Sequence, residues 1–131
     1  MKGNVSIILF LVLSLSSLAH GAVPAQLKEG NRLFKNGKYD DALKKYDDAL
    51  VDGPHSSLLH FNAGDAAYQK GDLLRAEKEF IEASQSAIPA LKSAAHYNRG
   101  NTLFRQDTRG EELAAVGILL AHLEQQVLIH L

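Results

Sequence analysis

Charged and apolar residues alternate at helical spacing in the middle of the chain. Residues 39–50 read YDDALKKYDDAL, in which YDDAL recurs after seven residues. Oppositely charged residues such as Asp40 and Lys44 stand four positions apart, the spacing at which side chains meet on a helix surface. The segment therefore predicts one helix with a solvated charged face. A coiled coil needs its apolar heptads over roughly three or more repeats, and this pattern stops at Val51.

The pattern also recurs over a longer distance. Three glycines, Gly30, Gly64 and Gly100, are separated by 34 and 36 residues. In the first two units, the glycine is followed by a second glycine after seven residues, alanine after twelve, an aromatic residue after sixteen and alanine after nineteen. These residues are Gly37, Ala42, Tyr46 and Ala49, and then Gly71, Ala76, Phe80 and Ala83. A period of this length indicates stacked structural repeats.

Each unit is predicted to form two helices joined by a tight turn. Gly37 and Gly71 stand where the first helix ends, since glycine adopts the left-handed conformation that terminates helices without a Cβ penalty. The small residues Gly30 and Ala42, with their counterparts in the second unit, would let two helix axes approach closely. Tyr46 and its counterpart are expected to fill the gap toward the following unit.

With these residues at this spacing, the sequence resembles the tetratricopeptide repeat family. Unit one covers residues 23–56, where Pro54 also matches the family pattern, and unit two covers residues 57–92. The resemblance implies an all-α fold. The fold implied by this resemblance is a right-handed α-solenoid of antiparallel helix pairs, with about three units of which the last is divergent.

The third unit, residues 93–131, departs from the pattern. Pro89 is predicted to start its first helix early, because proline is favoured in the first turn. Asp107 replaces the turn glycine. Thr108 and Glu111 have the spacing of a capping box, which predicts a second helix after a break.

That last helix, residues 113–131, is unusually apolar. Its main apolar face consists of Leu113, Val116, Leu120, Leu123 and Val127. Terminal helices of a solenoid normally have a polar outer face, whereas its Glu124, two Gln and two His argue against a membrane span. The alternatives are packing against a partner, against a second copy in a homo-oligomer, or against the preceding repeats. An altered or incomplete C-terminus is equally compatible with the pattern.

Residues 1–21 have the order of a secretory signal peptide: a positive charge, an uncharged and mostly apolar run over residues 5–18, and small residues near a cleavage site. We expect cleavage after Gly21, with a cut after Ala25 as second choice, which leaves residues 22–131 as the repeat domain. An uncleaved membrane anchor is the alternative, although 14 residues are fewer than the ~20 that span a bilayer. The protein is therefore expected to be exported, to a bacterial periplasm.

The family resemblance also implies a concave groove, lined by the first helix of each unit, that binds a protein or peptide. Carrying the family's groove positions onto this chain gives Leu27, Asn31, Phe34 and Lys35 in unit one, Leu58, Phe61, Asp65, Tyr68 and Gln69 in unit two, and Tyr97, Asn101, Phe104 and Arg105 in unit three. The alternative is that Phe34, Tyr68 and Phe104 pack between helices, as aromatic residues at helical spacing often do.

Composition argues against several other functions. The chain has 14 basic and 15 acidic residues, which are interleaved, whereas nucleic-acid binding needs clustered basic residues. It contains no Cys, so thiolate metal sites and thiol nucleophiles are excluded. His60 and His96 are expected to be packed between helices, and the other histidines lack a metal-ligand spacing. We predict no metal, no cofactor and no enzymatic activity, since no convergent set of catalytic groups is visible.

The resulting prediction is an exported scaffold that binds a protein or peptide partner. The segment HYNRGNTLFRQ, residues 96–106, is similar to repeat proteins of bacterial aerotolerance operons, which accompany von Willebrand factor A-type membrane proteins. That similarity implies an adaptor in such an envelope complex. The alternative is a structural envelope component that associates with itself or with the membrane through residues 113–131.

Overall fold

A computed structural model describes the backbone of residues 23 and 25–129, and the side chains in that range as far as residue 120, together with His122. The helices in these residues are α1 (residues 25–35), α2 (Tyr39–Asp52), α3 (Ser57–Lys70), α4 (Leu73–Ala83) and α5 (Pro89–Ile129). No strand occurs within the described ranges, which confirms the all-α prediction. The expected signal peptide, residues 1–21, lies outside the described residues and stays a prediction.

The turns inside the first two units form as the glycines predict. Gly37 has φ 72° and Gly71 has φ 89°, and this left-handed backbone ends a helix with little strain only when no Cβ is present. Ser56 and Asp72 cap α3 and α4, since their side-chain oxygens accept hydrogen bonds from backbone N–H groups three residues later. Each of the first two units is therefore a pair of helices whose ends are set by local signals.

The two helices of a unit cross where a glycine faces an aromatic ring. A Cβ added at Gly30 would lie 2.5 Å from Cε1 of Tyr46, and one added at Gly64 would lie 2.7 Å from Cε1 of Phe80. Both rings are almost fully buried. The close crossing was predicted, but its partner was not: the nearest atoms belong to Tyr46 rather than to Ala42. The aromatic ring thus fills the space beside the glycine of its own unit, which we call the notch.

The helices stack in chain order into an α-solenoid, as predicted. Helix α2 packs on α3, α3 on α4, and α4 on α5, while α3 also contacts α5. The amide of Asn62 donates to Asn31 Oδ1 at 3.2 Å, which places α1 beside α3. One side of the stack is therefore formed by α1, α3 and the first half of α5, and the other side by α2 and α4.

Polar side chains join the first two units. The two ring nitrogens of His60 lie 2.7 Å from Glu79 Oε2 and 2.9 Å from the carbonyl oxygen of Pro54. Arg75 pairs with Asp47 of α2 and with Glu79. The prediction of a packed histidine is confirmed for His60.

The expected break in the third unit does not form. Helix α5 runs from Pro89, the predicted start, through residues 107–110 without interruption. The hydroxyl of Thr108 donates to the carbonyl oxygen of Phe104 at 3.0 Å and so does not cap a new helix. Asp107 lacks the conformational freedom of the turn glycines, and Gln106 is held by a bond to the carbonyl oxygen of Leu73 at 3.0 Å. Both features favour continuation of the helix.

Because α5 continues straight on, the surfaces that a folded-back helix would cover are open. His96 is exposed, so the prediction that it is packed is wrong. The side chains of residues 113–120 are also exposed, which contradicts their packing against the preceding repeats. Leu123 and Val127 have side chains outside the described part. Among the described residues, no helix is both long and apolar enough to cross a membrane.

Candidate functional site

Two cavities lie side by side on the face formed by α1, α3 and α5. The first, about 310 Å³, is lined by Asn31, Phe34, Lys35, Tyr46, Asn62 and Asp65. The second, about 200 Å³, is lined by Phe34, Asp65, Tyr68, Gln69, Phe80, Asn98 and Asn101. Since Phe34 and Asp65 border both cavities, the two form one continuous depression, which we call the groove.

The structure brings about half of the predicted groove residues together. Those that line the cavities are Asn31, Phe34, Lys35, Asp65, Tyr68, Gln69 and Asn101. They come from α1, α3 and α5, so each predicted unit contributes to the groove. Leu58 and Phe61 lie outside it, and Leu27 lines a further cavity that shares Asn31 and Lys35 with the first. Leu27 is half-buried against the core, Leu58 is exposed, and the ring of Phe61 packs edge-on against Phe80 with centroids 5.8 Å apart.

The remaining predicted residues lie on α5 at or beyond the groove. Arg105 stacks over the ring of Tyr68 at 4.9 Å from its centroid and donates to the carbonyl oxygen of Tyr68 at 2.9 Å. This contact fixes the junction of α3 and α5 at the groove's end. Tyr97 and Phe104 line neither cavity and are 71% and 75% exposed.

The alternative that Phe34, Tyr68 and Phe104 pack between helices holds for the first two of them. Phe34 is half-buried and packs edge-on against Tyr39 with centroids 5.4 Å apart, and Tyr68 is half-buried under Arg105. Phe104 is exposed, so the packing interpretation does not hold for it. Phe34 and Tyr68 thus both support the fold and present an edge to the groove.

Two equivalent hydrogen bonds along the floor of the groove join α1 to α3 and α3 to α5. Asn62 Nδ2 donates to Asn31 Oδ1 at 3.2 Å, and Asn98 Nδ2 donates to Asp65 Oδ1 at 2.8 Å. Tyr46 Oη also donates to Asn31 Oδ1, at 2.8 Å. Asn62 and Asn98 were not among the predicted groove residues. They stand two positions before Gly64 and Gly100 in the sequence, a recurrence that could have identified them.

Burial changes the ionisation of two groups in the groove. Desolvation raises the pKa of Asp65 to about 6, although the hydrogen bond from Asn98 acts in the opposite direction. Desolvation, with a smaller contribution from the charge of Asp65, raises the pKa of Tyr46 to about 12. Tyr46 therefore stays a hydrogen-bond donor. None of the ion pairs found among the described side chains includes Asp65, so its charge lacks a compensating cation.

The groove offers amides, one carboxylate, one ammonium group and aromatic edges. These groups can hydrogen-bond a peptide backbone and pair with a charged side chain. In the part of the chain that the structure describes, no three His, Asp or Glu residues are grouped so that they could hold a metal ion.

Comparison with protein families agrees with the repeat pattern. A sequence model described as "Tetratricopeptide repeat" matches residues 27–92, which is half of the chain. The match spans α1 to α4 and the start of α5. A comparison with curated proteins found no match.

Proposed function

Because the chain belongs to the tetratricopeptide repeat family, we propose that it is a protein-interaction scaffold whose groove binds an extended peptide with a basic side chain. The observation that carries this proposal is the position of Asp65. This carboxylate borders both cavities, and its pKa is raised to about 6 by burial. A cation from a ligand would supply the missing charge.

Amide side chains account for binding the peptide backbone. Asn31, Asn62, Asn98 and Asn101 lie along the groove, and an amide can donate and accept hydrogen bonds simultaneously. The bonds between successive helices use only part of this capacity and hold the side chains of Asn62 and Asn98 in place. Preorganised side chains lose less conformational entropy when a ligand binds.

The charge of Asp65 and its access to the groove suggest that the bound peptide carries a basic side chain. The carboxylate of Asp65 is half-buried, and removing a charge from water without a counter-charge is unfavourable. A hydrogen-bonded pair with Lys or Arg would relieve that cost. In the two cavities of the groove, the other charged residue among the described lining residues is Lys35, at the end of α1. A peptide with a basic residue over Asp65 and an acidic residue near Lys35 would complement both.

Selection from a displayed library of random linear peptides tests the proposal. The full chain should enrich peptides with Lys or Arg at one fixed position, and Asp65→Asn should lose that enrichment. Asp41→Asn is the matched control, because it removes the same charge from an exposed position on α2. Equal enrichment with Asp65→Asn would contradict the role of Asp65, whereas no enrichment with any of the three proteins would contradict the groove itself.

The cellular setting is a finer proposal. The pattern of residues 1–21 supports export to a periplasm, with a membrane anchor if the segment is not removed. The similarity of residues 96–106 to aerotolerance repeat proteins supports an envelope complex with a von Willebrand factor A-type membrane protein as partner. N-terminal sequencing of the protein from its native envelope, and co-purification with such a protein, would test the two parts separately.

A second candidate function is a structural envelope component that associates through the end of α5. The observation in its favour is the exposure of five large apolar residues in the described part of that segment, namely Leu113, Val116, Ile118, Leu119 and Leu120. Sedimentation with lipid vesicles, beside a measurement of the oligomeric mass, separates attachment to a membrane from self-association.

A further inference from the structure

The three equivalent glycines of the repeats have different surroundings. Gly30 and Gly64 each face an aromatic ring of the second helix of their own unit, at a distance that leaves no room for a Cβ. A Cβ added at Gly100 would have no atom within 4 Å. The notch that is filled in the first two units is therefore open in the third.

Apolar side chains surround this open notch. Tyr97 and Phe104 stand one turn before and one turn after Gly100 and are both exposed, and Leu103 is 40% exposed. Thr102, on the opposite face of α5, is fully buried. The exposed face is thus the surface that would be covered by the second helix of a unit.

The chain contains a segment that carries the pattern of such a helix. In the second unit, Ala76 and Phe80 follow the turn glycine Gly71 by five and nine residues, and an alanine and a large apolar residue follow Gly110 at the same distances: Ala115 and Leu119. Both are exposed in the structure. The residues that should fill the Gly100 notch are present but occupy a different place.

Within one molecule this segment cannot reach the notch, because α5 is continuous. Gly110 lies inside the helix and is not among the glycines with positive φ. Arg109 additionally donates to the carbonyl oxygen of Gly71 at 3.4 Å, which holds the helix beside the turn between α3 and α4. While α5 stays straight, the same segment of a second molecule can cover Gly100 where this molecule's own segment does not.

We propose that two copies of the chain pair through antiparallel α5 helices, with Leu119 of each copy seated in the Gly100 notch of the other. The pairing centres on residues 109 and 110, midway between positions 100 and 119. A two-fold axis there creates both contacts at once, since such an interface is self-complementary. It would also bring Phe104 of one copy opposite Ala115 of the other. Gly100 borders neither cavity of the groove, so this pairing does not depend on peptide binding.

The first test fills the notch. The full chain should show a concentration-dependent dimer by light scattering, and Gly100→Phe should raise the dissociation constant about fivefold or more, because overpacking an interface costs about 1–3 kcal/mol. The substitution adds a side chain where there is space in the monomer, so helicity should be unchanged. Val51→Ala, at an exposed apolar position on α2, should leave the dimer intact. A monomeric full chain, or a dimer unaffected by Gly100→Phe, would overturn the proposal.

Cysteine cross-linking tests the geometry, since the chain contains no Cys. Gly100→Cys and Leu119→Cys, on separate chains that are mixed and oxidised, should form a disulfide-linked heterodimer. Gly100→Cys mixed with Val51→Cys, exposed on α2, gives the background. A chain with both Gly100→Cys and Leu119→Cys should give linked dimers. A monomer with an internal disulfide would show instead that the helix folds back, and cross-linking at background level would show that the pairing is wrong.

Discussion

The three equivalent glycines allow one substitution to have opposite effects in the same fold. Gly64→Ala places a Cβ 2.7 Å from Cε1 and 2.8 Å from Cδ1 of Phe80, whereas Gly100→Ala places it in open space. Carbon atoms pack best at about 3.5–4.0 Å, so Phe80 or the backbone would have to move by about 1 Å. Phe80 is only 1% exposed, and its surroundings give it little room.

The magnitude follows from two terms. Alanine in a helix interior is favoured over glycine by about 0.8–1.0 kcal/mol, and this term is the same at both positions. Overpacking costs about 1–3 kcal/mol and applies to Gly64→Ala alone. We therefore expect Gly100→Ala to stabilise the monomer by about 1 kcal/mol and Gly64→Ala to be neutral or to destabilise it by up to about 2 kcal/mol. The difference between the two, about 1–3 kcal/mol, isolates the packing term.

Urea unfolding of the full chain, followed by circular dichroism at protein concentrations low enough for the monomer, measures this difference. Combining Gly64→Ala with Phe80→Ala gives a control, because the alanine at position 64 should then be tolerated or stabilising; non-additive effects identify residues in contact. Equal changes in the free energy of unfolding for Gly64→Ala and Gly100→Ala would refute the view that an aromatic ring in the notch defines a complete unit.

Three further predictions concern ionised groups. Asp65→Asn should raise the free energy of unfolding above about pH 6 and have no such effect below about pH 4. The reason is that the pKa of Asp65 is raised in the folded protein, so folding binds a proton and stability is lost as the pH rises through this range. A difference between the two proteins that stays constant across pH in urea unfolding would contradict this. Affinity for a Lys-containing peptide should fall as the pH drops through about 6, where Asp65 becomes neutral, and a flat titration profile would exclude that pairing. Glu79→Ala should cost about 1–3 kcal/mol, because Nδ1 of His60 loses its acceptor. Glu82→Ala, exposed on the same helix, should cost less than about 0.5 kcal/mol; similar losses in thermal unfolding would show that the contact contributes little.

The repeat architecture was predictable because its signals are local. Gly37 and Gly71 mark turns that only a left-handed backbone can make, and the glycine, alanine and aromatic spacing encodes the crossing of neighbouring helices. The exact partner of Gly30 was not predictable from spacing alone. Whether Ala42 or Tyr46 reaches the glycine depends on the rotation of one helix about its axis.

The continuity of α5 shows where local signals failed. Thr108 and Glu111 have the spacing of a cap, but a hydroxyl inside a helix can bond the carbonyl four residues earlier, and Thr108 does so. The following residues are rich in Ala and Leu, which favour helix propagation. Without a glycine at position 107, no residue there favours the left-handed turn.

The groove was predictable in outline and not in detail. Positions implied by the family resemblance include Phe34 and Asp65, which border both cavities of the groove. Phe61, by contrast, packs against the ring of Phe80 on the neighbouring helix. Asn62 and Asn98 were missed, although each precedes a repeat glycine by two residues. Their role depends on bonds between units, which appear only once the units are stacked.

Calorimetric titration of a selected Lys-containing peptide into three proteins tests the central claim most directly. The proteins are the full chain, Asp65→Asn and Asp41→Asn, all at neutral pH. Loss of a charge-assisted hydrogen bond of about 1.5–3 kcal/mol predicts that Asp65→Asn binds about tenfold or more weakly, while Asp41→Asn binds like the unmodified chain. Equal affinity for all three proteins would contradict the assignment of the groove around Asp65 as the binding site.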